Sequence, residues 1–120
     1  KLKILLKINM ENRRQQKIAK VIKQDLATLF QREARNLFNG AFITVTTVSI
    51  TADMSYAKVY LSIMGNNENT VLKNVKIKSK EIRNIIAKQV RHQMRKVPEF
   101  QFYIDDSLDY YEKIDELLKK

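Results

Sequence analysis

The sequence predicts a single α+β domain in which helices cover one face of a three-stranded sheet. Three observations lead to this prediction. Apolar residues make up 44% of the 120 residues, which is enough for a folded core. Two long segments place their apolar residues at helical spacing, and three short segments alternate apolar and polar residues as strands do. The sequence shows no internal repeat and no low-complexity linker, so one domain is expected.

The first predicted element is a long helix from Glu11 to about Arg35. Its apolar residues recur at intervals of three or four and form one face: Ile18, Val21, Ile22, Leu26, Leu29 and Phe30. A basic stripe follows the opposite side: Arg13, Lys17 and Lys20. The dipeptide Asn39-Gly40 ends this region with a turn.

Three strands are predicted. The first runs from Ala41 to Thr51, and its alternation slips by one residue, so we expect a bulge near Thr46-Thr47. This bulge would return four apolar side chains to one face: Ile43, Val45, Val48 and Ile50. The second strand, Tyr56 to Met64, follows a short connection and should pair antiparallel with the first. The third strand is Glu99 to Ile104.

The segment from Thr70 to Pro98 is helical in pattern and strongly basic. Residues 66–98 contain nine Lys and Arg against two Glu. The apolar phase drifts, which predicts a break near Lys78–Lys80, and the proline should stop the helix. Basic residues recur at i, i+3 and i+7 in two runs: Lys73, Lys76 and Lys80, then Lys88, Arg91 and Arg95.

The formal net charge of +10 is unevenly distributed along the chain. Residues 1–35 and residues 66–98 each have seven more basic than acidic groups, whereas residues 99–120 have four more acidic than basic groups. Basic charge that is localised in this way favours a polyanion such as nucleic acid. The alternative is a solvated helix face, which is the usual reason for a charged stripe.

The residue types argue against several kinds of chemistry. The chain has no Cys and one His, His92, so we expect neither a disulfide framework nor a Cys/His zinc site. Asp105 and Asp106 precede Ser107 and a helical pattern, and we interpret them as a helix N-cap. We expect no cofactor, no metal and no enzymatic activity. No apolar run reaches the roughly 20 residues of a membrane span.

The two ends of the sequence lead to further expectations. Residues 1–9 contain lysines and a short apolar patch without a signal-peptide cleavage site, so we expect a weakly ordered extension before a domain at 10–120. A last helix is predicted after Ser107, with apolar residues at helical spacing: Leu108, Tyr111, Ile114, Leu117 and Leu118. We expect a cytoplasmic monomer.

The element order and three motifs resemble a known family. The order α-β-β-α-α-β is that of a KH domain in its second topology. The segments RRQQKIAKVIKQDLATLFQRE, SYAKVYLSIMG (Ser55 to Gly65) and VPEFQFYIDDSLDYYEKIDELL (Val97 to Leu118) resemble the ribosome-binding factor A family of bacterial small-subunit assembly factors. The resemblance covers about Met10 to Leu118, which is nearly the whole chain.

The resemblance implies a KH-like domain without enzymatic activity that binds the small (30S) ribosomal subunit through its 16S rRNA. It also implies a role in late maturation of that rRNA and in growth in the cold. Separately, we expect no small-molecule substrate and no membrane partner. Family members generally have Ala-x-Gly where this chain has Lys78-Ser79-Lys80. Side-chain contact by the two lysines is therefore expected in place of close backbone approach.

Two sets of basic residues are candidates for contact with RNA phosphates. The second helical segment provides Lys78, Lys80, Arg83, Lys88, Arg91, Arg95 and Lys96, and the first helix provides Arg13, Arg14, Lys17 and Lys20. Such contacts position a protein on RNA without reading its sequence. Two alternatives remain open. The basic helices can bind an acidic protein, or they can attach to an anionic membrane together with Lys1–Ile8.

Overall fold

The computed structural model describes residues 12–65, 67–106 and 118. The helices are α1 (Arg13–Arg32), α2 (Ala34–Leu37), α3 (Glu68–Ile77) and α4 (Ser79–Val90), and the strands are β1 (Phe42–Ile50), β2 (Tyr56–Met64) and β3 (Glu99–Ile104). This order confirms the predicted α+β class, with the short helix α2 as an addition. The expectations for residues 1–9, for Ser107 and for the last helix lie outside the described residues.

The start of α1 is stabilised by a capping box and by a contact with the sheet. The Asn12 side chain accepts from the backbone N–H of Gln15 at 2.9 Å, and the Gln15 side chain accepts from the backbone N–H of Asn12 at 2.9 Å. The buried Gln15 amide also donates to the carbonyl of Ile50 at 2.9 Å. The first turn of α1 is therefore attached to the end of β1.

The far end of α1 differs from the prediction. The expected uninterrupted helix to Arg35 is wrong, because α1 ends at Arg32 and a separate short helix follows. The interruption allows Phe38 to enter the core, where its ring centroid lies 5.4 Å from that of Phe30. In a continuous helix these two side chains would point about 80° apart. The turn at Asn39-Gly40 is confirmed, since both residues have positive φ.

The three strands form one sheet in the order β1-β2-β3. β1 and β2 pair antiparallel, and the register shifts between Val45 and Thr47, which confirms the predicted bulge. The apolar side chains on both sides of the bulge are buried: Ile43, Val45, Val48 and Ile50. β3 pairs in parallel with β2, with Tyr56 opposite Glu99. A parallel neighbour requires a crossover, and α3 and α4 provide it.

One hydrophobic core joins the helices to one face of the sheet. The central strand β2 contributes three side chains with no exposure: Ala57, Val59 and Leu61. The helices cover them with Ile22, Leu26, Leu29, Val75, Ile82, Ile86 and Val90, and β3 adds Phe100 and Phe102. On the opposite face the rings of Tyr60 and Tyr103 stack with centroids 5.4 Å apart. Helices therefore pack on one face of the sheet, as predicted.

The basic segment breaks where predicted but ends earlier than predicted. Lys78 separates α3 from α4. The expected helix up to the proline is wrong, because α4 ends at Val90 and residues 91–98 form a loop. The reason is tertiary. The backbone N–H of Glu99 donates to the carbonyl of Ser55 at 2.9 Å, so the chain must turn back to start β3 beside the start of β2.

Leu61 tests the assignment of the core. The change Leu61→Ala removes a fully buried side chain from the central strand and should lower the free energy of unfolding by about 2–5 kcal/mol. Urea denaturation followed by circular dichroism measures this loss. The matched control is Lys23→Ala on an exposed position of α1, with an expected change within about 0.5 kcal/mol. An equal loss of unfolding free energy in the two variants would contradict the burial of Leu61.

Candidate nucleic-acid interface

Three segments meet at the end of the sheet where β1 turns into β2. They are the first turns of α1, the hairpin turn at residues 51–55 and the loop at residues 91–98. Between them lies a groove of about 450 Å³, which we call the cationic groove. Three structural ties bring these segments together: the Gln15 contact with Ile50, the Glu99 contact with Ser55, and the parallel pairing of β3.

Four cationic side chains line the groove from two sides. α1 provides Arg14 and Lys17, and the loop provides Arg95 and Lys96. All four residues are exposed. None of the four forms an ion pair with a carboxylate of residues 12–65 or 67–106. Within this part of the chain their charge is therefore not neutralised by a direct partner, and it is available to a polyanion.

The groove also has an apolar surface. It is formed by Ile18, Val21, Met54, Met94 and Pro98. Four of these residues are partly buried and pack against the core, whereas the proline is buried. Met54 has a φ of 64°, an uncommon value for a residue with a side chain. The groove thus combines positive charge from two segments with this apolar surface, which we call the apolar floor.

Asp53 is the acidic residue of the groove lining. Its Oδ1 accepts hydrogen bonds from the backbone N–H of Ser55 at 3.0 Å and from the Thr51 hydroxyl at 2.8 Å. These bonds, first of all the one from the Ser55 N–H, hold the pKa of the Asp53 carboxyl below its usual value. The carboxylate is therefore charged at neutral pH and holds the hairpin turn in shape.

Arg83 holds the loop that contributes half of the groove cations. Its Nε and Nη2 donate to the carbonyl of Val97 at 3.1 and 2.8 Å, and Nε also lies 3.3 Å from the carbonyl of Pro98. The side chain is partly buried. These bonds give Arg83 a structural role, and its predicted contact with RNA phosphate stays a prediction.

The other predicted cations lie outside the groove. Lys20 lines a separate depression beside the bulge of β1. Arg13, Lys88 and Arg91 are exposed, but none of them lines the groove. The predicted helical stripe through Lys88, Arg91 and Arg95 is wrong, because only Lys88 lies in a helix. The structure therefore brings together part of the first-helix set and part of the second set.

The turn at Lys78-Ser79-Lys80 forms another part of the surface. The Ser79 hydroxyl donates to the carbonyl of Phe100 at 3.4 Å, which ties the turn to β3. Lys78 is partly buried and Lys80 is exposed. Ser79 also lines a shallow depression against β3 together with Lys76. The turn is thus anchored through a serine at the place where the resemblance leads us to expect Ala-x-Gly.

Among the groove residues that sequence reasoning missed are three in the hairpin turn, Asp53, Met54 and Ser55. They lie in a short connection between strands, and no pattern in the sequence marks them. Met94 lies at helical spacing from Val90 in the sequence, but the structure places it in the loop after α4, where it packs against the core. Residues 36–65 contain Lys58 as their one basic residue, so no charge pattern in the sequence leads to this turn.

The described part of the chain lacks two other kinds of site. It contains no group of three or more His, Cys, Asp or Glu that could hold a metal ion. None of its helices is long and apolar enough to cross a membrane. His92 is exposed on the loop after α4.

Comparisons with known proteins identify one family. The family model described as "Ribosome-binding factor A" matches residues 14–118. The chain is 43% identical over 112 residues to the ribosome-binding factor A of Cytophaga hutchinsonii, covering 92% of this chain and 84% of the relative. It is 44% identical over 111 residues to that of Flavobacterium psychrophilum, covering 91% of this chain and 85% of the relative.

A solved structure shows the same fold. The crystal structure of ribosome-binding factor A from Thermus thermophilus matches with a TM-score of 0.64 and covers 75% of this chain and 94% of that chain. The sequences share 21% identity, so this likeness concerns the fold alone.

Variants at Arg83 and Arg91 distinguish a cation that stabilises the loop from one that is only exposed on it. The change Arg83→Ala leaves two backbone carbonyls without their charged donor and should lower the free energy of unfolding by about 1.5–3 kcal/mol. Arg91→Ala, at an exposed loop position, should change it by less than about 0.5 kcal/mol. Thermal and urea unfolding measure both variants. An Arg83→Ala variant as stable as the parent would show that the loop does not depend on this anchor.

Proposed function

The chain belongs to the ribosome-binding factor A family, and from this premise we propose that it binds the small (30S) ribosomal subunit as a non-catalytic factor. It would assist late maturation of the 16S rRNA and assembly of the subunit in the cytoplasm. The observation that supports RNA as the ligand is the cationic groove, where four exposed cations from two distant segments line one space and none of them forms an ion pair within residues 12–65 or 67–106.

The proposed mechanism is docking and release. Arg14 and Lys17 on one side, with Arg95 and Lys96 on the other, contact rRNA phosphates. The two segments that carry these cations are already held in place in the free protein, because hydrogen bonds join α1 to β1 and the loop to α4. Little ordering is then needed on binding. The factor stabilises one conformation of the immature rRNA, and it dissociates when the rRNA of the mature subunit no longer adopts that conformation.

The remaining predicted residues extend this contact in the proposal. Arg13 lies next to the groove residue Arg14 in the chain, and Arg91 is in the same loop as Arg95. Lys20, Lys78, Lys80, Lys88 and Arg83 belong to other parts of the surface. We assign them a supporting electrostatic role, because positive potential around a site raises the rate of encounter with a polyanion.

The first test is the salt dependence of binding. If about five phosphates of unpaired RNA are contacted, affinity for small subunits should fall roughly 100-fold between 50 and 200 mM salt. Fluorescence titration of labelled protein with purified subunits measures this slope. A change of less than about threefold over the same range would argue against a phosphate-dominated interface.

The second test reverses the groove charge. The double change Arg95→Glu and Lys96→Glu should weaken binding to small subunits by at least about tenfold, because two phosphate contacts become repulsive. The matched control, Arg35→Glu with Lys73→Glu, makes the same charge change at exposed positions outside the groove. Circular dichroism verifies folding of both variants.

Sedimentation distinguishes the possible partners. Parent and control should migrate with free small subunits rather than with assembled ribosomes, and the groove variant should remain at the top of the gradient. Equal migration of the groove variant and the control would contradict the assignment of this surface. Ribonuclease treatment should abolish the association. A complex with one acidic protein that survives ribonuclease would instead favour a protein-interaction module.

A further inference from the structure

We propose that the cationic groove binds an unpaired ribonucleotide, with its base on the apolar floor and its flanking phosphates at the cations on either side. This inference rests on the proposed function, since it concerns the same groove. It adds the class of RNA that the groove accepts, which is single-stranded rather than duplex.

The dimensions of the groove match one nucleotide. Its volume of about 450 Å³ lies within the range of sites that enclose small ligands, roughly 300–1,000 Å³. In duplex RNA the bases are paired inside the helix and the phosphates lie on its convex outside. A duplex could therefore reach the rim of such a groove but leave the floor empty.

The chemistry of the floor matches an aromatic base. Phosphate contact alone would need only the cations, yet Met54 and Met94 lie among them, partly exposed. A thioether is polarisable and interacts favourably with aromatic rings. Every base has an aromatic face, so such a floor contributes affinity with little dependence on sequence.

The charged residues of the groove belong to three segments, and their signs differ. Arg14 and Lys17 lie on the α1 side, and Arg95 and Lys96 lie on the loop side. The hairpin turn, which is the third segment of the groove, contributes the charged Asp53, which repels phosphate. Phosphates are thereby directed to the two cationic sides, and the space next to the turn is left for the uncharged base.

The groove is held open without a ligand. The first turn of α1 is bonded to Ile50, and the loop is bonded to α4 through Arg83. A site with fixed walls loses little entropy on binding, so a single inserted base can give a measurable gain in affinity.

The experiment compares two labelled RNAs that share one strand. One is a 12-nucleotide RNA without self-complementarity, and the other is the same strand annealed to its complement. Fluorescence anisotropy at fixed salt should give at least about tenfold tighter binding of the single strand. The duplex has the higher charge density, so electrostatics alone predicts the opposite order. Equal or tighter binding of the duplex would overturn the inference.

Variants at Met94 locate the effect in the groove. Met94→Ala should weaken binding of the single strand about tenfold and leave its salt dependence unchanged, because no phosphate contact is lost. Its binding to the duplex should stay within about twofold of the parent. Met94→Leu, which keeps the apolar volume, is the matched control and should restore most of the affinity. Thermal unfolding verifies that both variants are folded.

Arg95→Gln is the contrasting change. It should weaken binding of both RNAs and lower the slope for the single strand by about 0.7, which corresponds to one lost phosphate contact. If Met94→Ala binds the single strand as the parent does, while the charge reversal at Arg95 and Lys96 still weakens binding to subunits, the inference fails and the proposed function stands.

Two further results separate the proposals. If the charge reversal leaves binding to subunits unchanged, the proposed function fails as well.

An oligo-glutamate peptide of equal charge represents an acidic protein partner in a competition experiment. We expect it to displace the single-stranded RNA only at much higher concentration. Displacement at equal concentration would overturn the inference in favour of an acidic protein segment.

Discussion

The parallel pairing of β3 with β2 is the constraint on which the candidate site depends. A parallel strand begins at the same end of the sheet as its neighbour, so the chain that leaves α4 must return to the turn between β1 and β2. The start of α1 is attached to the same end through the Gln15 amide and the carbonyl of Ile50. Arg14 and Arg95, which are far apart in sequence, therefore line one groove.

The charged residues of this region divide into two groups with different physical roles. Arg83 and Asp53 satisfy backbone groups and hydroxyls, and they shape the loop and the turn. Charge-assisted hydrogen bonds of this kind are stronger than neutral ones, so they are effective anchors. Arg95 and Lys96 are exposed at the positions that these anchors define. A count of basic residues does not distinguish the groups, whereas their hydrogen bonds do.

The sequence allowed the strands, the bulge in β1 and the break at Lys78 to be predicted, because each follows from local alternation or helical phase. The end of α4 could not be predicted in this way. Val90 and Met94 keep helical spacing, and only the distant pairing of Glu99 with Tyr56 requires the chain to leave the helix. For the same reason sequence reasoning predicts the basic residues of the groove as two separate surfaces and does not predict their meeting at the hairpin turn.

Net charge alone does not decide which nucleic acid the molecule prefers. A charge of +10 attracts any polyanion, and duplex RNA offers more phosphates per unit length than a single strand does. Selectivity needs a feature that one form of RNA can use and the other cannot. We infer that Met54 and Met94 provide it, because they line the same groove as the cations of α1 and of the loop. A base can reach this surface only when it is unpaired.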